Sequence, residues 1–205
     1  VMKKQKIVKD FGGIVKVNDD GIRTAEDAEA SELDAPLSQV LITHRCIKKR
    51  AEKIAENVRK DYKNEIYAVI VLKGAKTFAN ELFGNLEGMK IKTDYIRAKS
   101  YAGTNTTGNV KLLRDLEKNP AGKDILVIED IIDTGITMDF IKKYLKKKKA
   151  KSVRICALFD KPSRRIRKIK IDYLGFKIPD KFVVGFGLDW NEKYRELPFL
   201  AVVKE

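Results

Sequence analysis

Residues 66–72 are apolar without a break and rich in β-branched side chains, and Lys73-Gly74 follows at once. A strand with one wet face alternates apolar with polar residues. An unbroken run therefore indicates a strand buried on both faces, as in a parallel sheet covered by helices. Ile47, Ala51, Ile54, Ala55 and Val58 recur at helical spacing before the run; Ala75, Phe78, Ala79, Leu82, Phe83 and Leu86 do so after it. Further strands are expected at 89–96, 125–128 and 153–159, with a lysine-rich helix before the last. This alternation predicts an α/β fold with a doubly wound, mostly parallel sheet. Shorter strands and turns between 171 and 203 predict a small hood at the end of the chain, with a contribution from its beginning. Residues 1–38 read differently. Two short strands fit around Gly12-Gly13, and an acidic, alanine-rich stretch through Glu26, Asp27, Glu29, Glu32 and Asp34 ends at Pro36. The expected division is a partly linker-like extension, 1–38, and a domain, 39–205.

A length of 205 residues suits one such domain. The net charge of +14 raises the question of a nucleic-acid partner. Lys142, Lys143, Lys146 to Lys149 and Lys151 interrupt an apolar set at Phe140, Ile141, Tyr144 and Leu145, which places these lysines on the wet side of one helix. No nucleic-acid partner is expected on that ground. A third use of the charge, binding a small polyphosphate, stays open. Cys46 and Cys156 fall in apolar patterns without zinc-ligand spacing and are expected to be reduced thiols. No stretch reads as a signal peptide or membrane span, so a cytoplasmic protein is expected.

The stretch richest in chemistry runs from 125 to 137. Four apolar residues lead into Glu129-Asp130, two aliphatics follow, and Asp133-Thr134-Gly135 opens a helix. Ligands of open α/β sheets bind at the carboxyl ends of strands, and a helix N-terminus there offers free N–H groups and a positive dipole end to a phosphate. Gly135 permits close backbone approach, and the Thr134 and Thr137 hydroxyls can donate to phosphate oxygens. Glu129 and Asp130 are placed to accept ribose hydroxyls or hold a hydrated metal ion. A plainer reading makes Asp133 the N-cap of the helix. That explains one carboxylate of three, and so much buried like charge calls for a cation or hydroxyl donors. No Walker A spacing surrounds Gly122-Lys123, and no GxGxxG follows a strand.

Residues 128–137 resemble the phosphoribosyl pyrophosphate (PRPP) loop of type I phosphoribosyltransferases, in the form found in the hypoxanthine-guanine(-xanthine) enzymes. The stretch 175–185, Gly-Phe-Lys-Ile-Pro-Asp-Lys-Phe-Val-Val-Gly, followed by Leu188-Asp189 and Tyr194-Arg195, narrows the resemblance to enzymes of 6-oxopurines. The similarity runs from about Val40 to the end and takes in Val71-Leu72-Lys73-Gly74 and Lys99-Ser100-Tyr101. It implies transfer of the 5-phosphoribosyl group from PRPP to N9 of hypoxanthine or guanine, with magnesium and with self-association as a dimer or tetramer. Asp133 would act in proton transfer at purine N7. Glu129 and Asp130 would contact the ribose and magnesium, and Asp189 a second magnesium. Thr134, Gly135, Thr137, Lys73, Gly74 and Arg195 would hold the phosphates, with a non-proline cis peptide in the Lys73-Gly74 loop. Lys161 would donate to the 6-oxo group, Phe182 would stack on the base, Val183 would offer backbone contacts, and Ile131 would complete the purine site. Residues 99–110, with Ser100, Tyr101, Gly103 and Gly108, would form a mobile cover.

Taken alone, Lys161 reads as a surface lysine, Phe182 and Trp190 as packing, and residues 99–110 as a surface loop. His44, the single histidine, reads as a surface or cap residue, which leaves acid–base work to carboxylates. Three positions depart from the family pattern: Ile136 stands where many members carry Lys, Trp190 replaces Tyr or Phe, and Asp160 replaces an apolar residue beside Lys161. A rival function on the same scaffold is a PRPP-sensing, nucleic-acid-binding regulator. Such a protein needs the donor loop but not Lys161, Phe182, Asp189 and Arg195 together.

Overall fold

The computed structural model describes residues 6–10, 13–17, 23–24, 37–63, 65–100 and 110–204. Near the start, β1 (Lys6–Asp10) pairs antiparallel with β2 (Gly13–Val17), as expected, and β2 pairs with the two-residue β3 (Arg23–Thr24). The acidic stretch that ends at Pro36 lies outside the described residues.

The centre of the molecule is a six-stranded sheet. Its members are β5 (Glu65–Val71), β6 (Lys90–Ser100), β7 (Val110–Arg114), β8 (Asp124–Ile132), β9 (Ser152–Asp160) and β10 (Tyr173–Lys177), in spatial order β10-β9-β8-β5-β6-β7. All pairs are parallel except β6–β7. Side chains alternate between the two faces of a strand, and here both faces are apolar. Ile66, Ala68, Ile70, Leu126, Ile128, Cys156 and Leu158 pack into one core with α1 (His44–Asp61) and α2 (Ala75–Gly84). The intervening Tyr67, Val69, Val71, Ile125, Val127, Ile155 and Ala157 pack into another with α3 (Ile136–Lys147). The doubly wound expectation is met, and the five residues picked for the face of α1 are its buried residues. Thr43 caps this helix by accepting from the Cys46 amide at 3.4 Å, and His44 is its first residue.

Two expectations need correction, and the plainer alternative for Asp133 is excluded. The strand expected at 125–128 runs to Ile132, because β9 pairs with it as far as Ile132↔Asp160; ladder pairing outweighs the poor strand propensity of acids. The region 171–203 is not all hood, since β10 belongs to the central sheet. Gly175 makes this possible: a Cβ there would lie 2.2 Å from the Leu158 carbonyl oxygen of the neighbouring strand. Finally, Asp133 does not cap α3. The cap position is Gly135, at φ 78°, where a side chain would be strained.

The hood is a three-stranded antiparallel sheet, β11 (Val183–Val184), β12 (Leu200–Val203) and β4 (Leu37–Ile42), joining the two ends of the described domain. Among the described residues no helix is long and apolar enough to cross a membrane.

One buried carboxylate fixes the loop after β7. Asp94 accepts the Tyr67 hydroxyl at 2.8 Å and the amides of Tyr95, Glu117 and Lys118. Burial works against its charge, but these donors outweigh burial and hold its carboxyl below the usual range. Because the folded-state value is depressed, the stabilisation is present above the unfolded value of about 4 and fades as pH falls through the folded one. Asp94→Ala should cost about 2–3 kcal/mol at neutral pH. In urea titrations, the gap between wild type and variant should narrow steadily below about pH 4.

Candidate active site

The cleft opens where neighbouring strands part company. β5 pairs with β8 only up to Ile70↔Ile128, whereas β9 follows β8 four residues further. Beyond Ile128, β8 therefore has an open edge. A cleft of about 340 Å³ lies there, lined by Leu72, Ser100, Glu129, Ile131, Asp133, Thr134, Gly135 and Thr137 among others. Of the residues singled out in the sequence, seven line this one space. The backbone of the loop 133–137 supplies the helix N-terminus that a phosphate requires. The Thr134 side chain accepts from the Ile136 amide at 3.4 Å.

Glu129 lines the inner wall, and Asp130 follows it in β8 and lies against Gly74. Burial, with the neighbouring carboxyl, pushes Glu129 well above the usual carboxylate range, and burial raises Asp130 as well. A pair so placed gains from any divalent cation or hydroxyl donor that arrives. Among the described residues no three His, Cys, Asp or Glu side chains converge as a metal cage. Magnesium suits that arrangement, since it takes one or two protein carboxylates and fills its octahedron with water and ligand oxygens.

Backbone approach shapes the other wall. The Leu72-Lys73 peptide is cis, in the loop for which the resemblance implied such a bond. A Cβ at Gly74 would meet Asp130 Oδ2 at 1.7 Å, and one at Gly187 would meet the Gly74 carbonyl oxygen at 2.2 Å. Three segments, 72–74, 129–130 and 187–195, thus meet at two glycines. Past this junction Arg195 donates to the Gly187 carbonyl at 2.8 Å and pairs with Asp189 at 2.7 Å, and Lys73 pairs with Glu192 at 2.9 Å. Asp189, expected near a second magnesium, is here engaged by Arg195.

Opposite the loop, Lys161 is buried at 5 % exposure, which rules out its reading as a surface lysine. Its Nζ lies 3.9 Å from Asp133 Oδ1, and that oxygen is buried with no hydrogen-bond partner in the protein. Phe182, at 49 % exposure, is not core packing, and Val183 is buried in β11. Trp190 is partly exposed and stacks on Tyr194. Ser100 stands at the rim of the cleft, while Tyr101 and the rest of the expected cover through Asn109 lie outside the described residues.

Two residues of this region escaped sequence reasoning. Arg165 donates from Nε to the Asp133 carbonyl at 2.9 Å and from Nη2 to the Ile132 carbonyl at 3.2 Å, and it pairs with Asp160. Asp160 is thus the buried anchor for a guanidinium that holds the Asp133 turn by its backbone. Nothing distinguishes Arg165 within the basic run 164–170. Glu192 was likewise unmarked between Asp189 and Arg195. Arg165→Met should leave the Asp160 carboxylate buried without its partner and destabilise the protein by about 3–5 kcal/mol. Adding Asp160→Leu should recover much of that loss in chemical denaturation.

Comparison with known proteins agrees with this geometry. The family model described as phosphoribosyl transferase domain matches residues 38–191. A hypoxanthine-guanine phosphoribosyltransferase of Streptococcus pyogenes is 39% identical over 175 residues, covering 84% of this chain and 97% of that protein. Its counterpart from Bacillus subtilis is 39% identical over 170 residues, covering 82% and 94%. Among solved structures, a hypoxanthine-guanine phosphoribosyltransferase from Bacillus anthracis superposes with a TM-score of 0.77 at 39% identity, covering 83% of this chain and 99% of that one. A cleft at the open edge of a parallel sheet, walled by acids and a phosphate-ready helix end, and relatives matched over nearly their whole length, lead to one conclusion: this chain belongs to the phosphoribosyltransferase family.

Proposed function

We propose that this chain transfers the 5-phosphoribosyl group of PRPP to N9 of hypoxanthine or guanine, giving the nucleoside monophosphate and pyrophosphate. Residues 39–205 form the transferase unit in this reading, residues 1–38 are an extension, and the protein works in the cytoplasm as a dimer or tetramer.

The observation that carries the base assignment is the pair Asp133–Lys161. A buried acceptor without a partner and a buried donor, 3.9 Å apart, match the edge of a 6-oxopurine, where N7–H and O6 lie side by side. Adenine would set its amino group against the Lys161 donor, and buried mismatches of that kind discriminate by orders of magnitude. Phe182, half-exposed, offers a face on which the base can stack, with Ile131 and the Val183 backbone at its edges.

The reaction breaks the bond from C1 to pyrophosphate and forms one from C1 to N9, through a centre with oxocarbenium character. Five tasks follow for the protein. The 134–137 amides and hydroxyls hold the 5′-phosphate. Glu129 and Asp130 accept the ribose hydroxyls and, with Asp189, would hold magnesium, which supplies counter-charge and orientation to the diphosphate when bound. Lys73, Gly74 and Arg195 meet the departing pyrophosphate. Asp133 takes the N7 proton as the bond to N9 forms, so that positive charge does not build up on the base. Ser100 and Tyr101 belong to the cover that keeps water from the cationic carbon. Ile136 removes one charge near the 5′-phosphate, and the backbone donors and Thr137 remain to serve it.

A substrate panel tests the assignment. Hypoxanthine and guanine, with PRPP and magnesium, should yield nucleotide and pyrophosphate, while adenine should yield none. Product from adenine alone would overturn the base assignment, and xanthine in the same panel sets its outer limit. Asp133→Asn should lower turnover about 10²- to 10³-fold while PRPP binding, followed by calorimetry, survives. Undiminished turnover would remove Asp133 from the chemistry.

A further inference from the structure

Resting on the reading that Lys73 and Arg195 meet the diphosphate of the donor, we propose that Glu192 is a built-in competitor for it, an intramolecular anion that leaves before the diphosphate enters. The Glu192 carboxylate accepts from Lys73 Nζ at 2.9 Å and lies 3.5 Å from Arg195 Nη2. The residue thus bridges two cations from distant parts of the chain, one on the cis-peptide loop and one after the hood turn. With Asp189 on Arg195, two cations face two anions, so the cluster is neutral as it stands. A diphosphate arriving with Glu192 in place would find no net positive charge, and a carboxylate in its way.

The local backbone argues that this placement belongs to the side chain rather than to the turn. Trp190 and Lys193 exchange both amide-to-carbonyl bonds at 3.1 Å, with Asn191 at φ 53° and Glu192 at φ 64° between them. A two-residue turn with both central φ angles positive favours Asn-Gly. Asn is present, but a glutamate stands where the turn by itself favours glycine. The Glu192 backbone is tied down by its amide, which donates to Asp189 Oδ2 at 2.9 Å, while the side chain is exposed and free to swing out. Glu192 satisfies Arg195 less well than Lys73: its approach to Arg195 is long, and Arg195 Nε is buried without a hydrogen-bond partner. A diphosphate brings more acceptors than one carboxylate and wins the exchange.

Calorimetry on the full chain decides the matter, using magnesium pyrophosphate, PRPP with magnesium, and inosine monophosphate, which lacks the diphosphate. Glu192→Gln and Glu192→Asn both remove the charge, and Asn suits the left-handed backbone. Both variants should bind pyrophosphate and PRPP about two- to fivefold more tightly, the range an exposed ion pair can withhold. Inosine monophosphate should bind as before, and the KM for PRPP should fall while that for the purine stays. Glu192→Asp, which keeps the charge, should move back toward wild type. Equal or weaker pyrophosphate binding in both variants, or a gain shared by inosine monophosphate, would overturn the role of Glu192 alone. A wild-type chain that bound neither PRPP nor pyrophosphate would overturn the transferase reading and this one together.

Discussion

Two carboxylates side by side, at the end of a buried strand, are the arrangement on which the site depends. They are held there by a ladder. β9 keeps pairing with β8 through Ile132, so the backbone that carries Glu129 and Asp130 is fixed in the sheet. On the other side β5 has already left β8 at Ile128, and the chain turns through Leu72-Lys73-Gly74. The sheet thus brings two neighbouring carboxyls and an opening beside them into place with one structural event. Ionising one buried carboxyl beside another is costly. A cation or hydroxyl donors in the opening would offset that cost.

Much of this was legible in the chain, for a physical reason. A helix packed on a sheet has one apolar stripe, and the stripe of α1 at Ile47, Ala51, Ile54, Ala55 and Val58 follows from spacing alone. The unbroken apolar run of β5 likewise announces helices on both sides. Residues whose roles depend on pairing were not legible. The length of β8 is decided by a partner strand that starts twenty-eight positions after it, as the register Asp124↔Ser152 shows. β10 reads as a short strand of a separate element until Gly175 is seen against the Leu158 carbonyl. Asp133 looks like a helix cap because Asp, Thr, Gly and a helix follow in order, yet Gly135 takes the cap position in a left-handed conformation that spacing cannot reveal.

Arg165 and Asp160 show how the Asp133–Lys161 corner is built from outside the cleft. The guanidinium grips two carbonyls of the turn, Ile132 and Asp133, while the Lys161 amide donates to the same Ile132 carbonyl at 3.0 Å. The Thr134 carbonyl accepts from the amides of both Ile166 and Arg167. The stretch after β9 therefore lies along the 132–135 turn and sets its position by main-chain contacts. This is how a donor from one segment and an acceptor from another hold a fixed separation with no direct hydrogen bond between them. The spacing, more than either residue, is what a flat heterocycle would read.

The hood is tied to the sheet at a point where no side chain fits. Gly187, at φ 98°, brings its backbone against Gly74, and Gly74 brings its own against Asp130. Backbone contacts of this kind leave no slack, so a displacement of the hood turn is felt at the cis-peptide loop and at the carboxylate behind it. Lys73 and Arg195 flank this junction, each reaching the Glu192 carboxylate from its own segment. An anion that replaces Glu192 between them would press on both segments at once. The rim cations and the inner carboxylates are thus connected through two glycines, by main chain from Gly187 to Gly74 and by the Asp130 carboxylate beyond it.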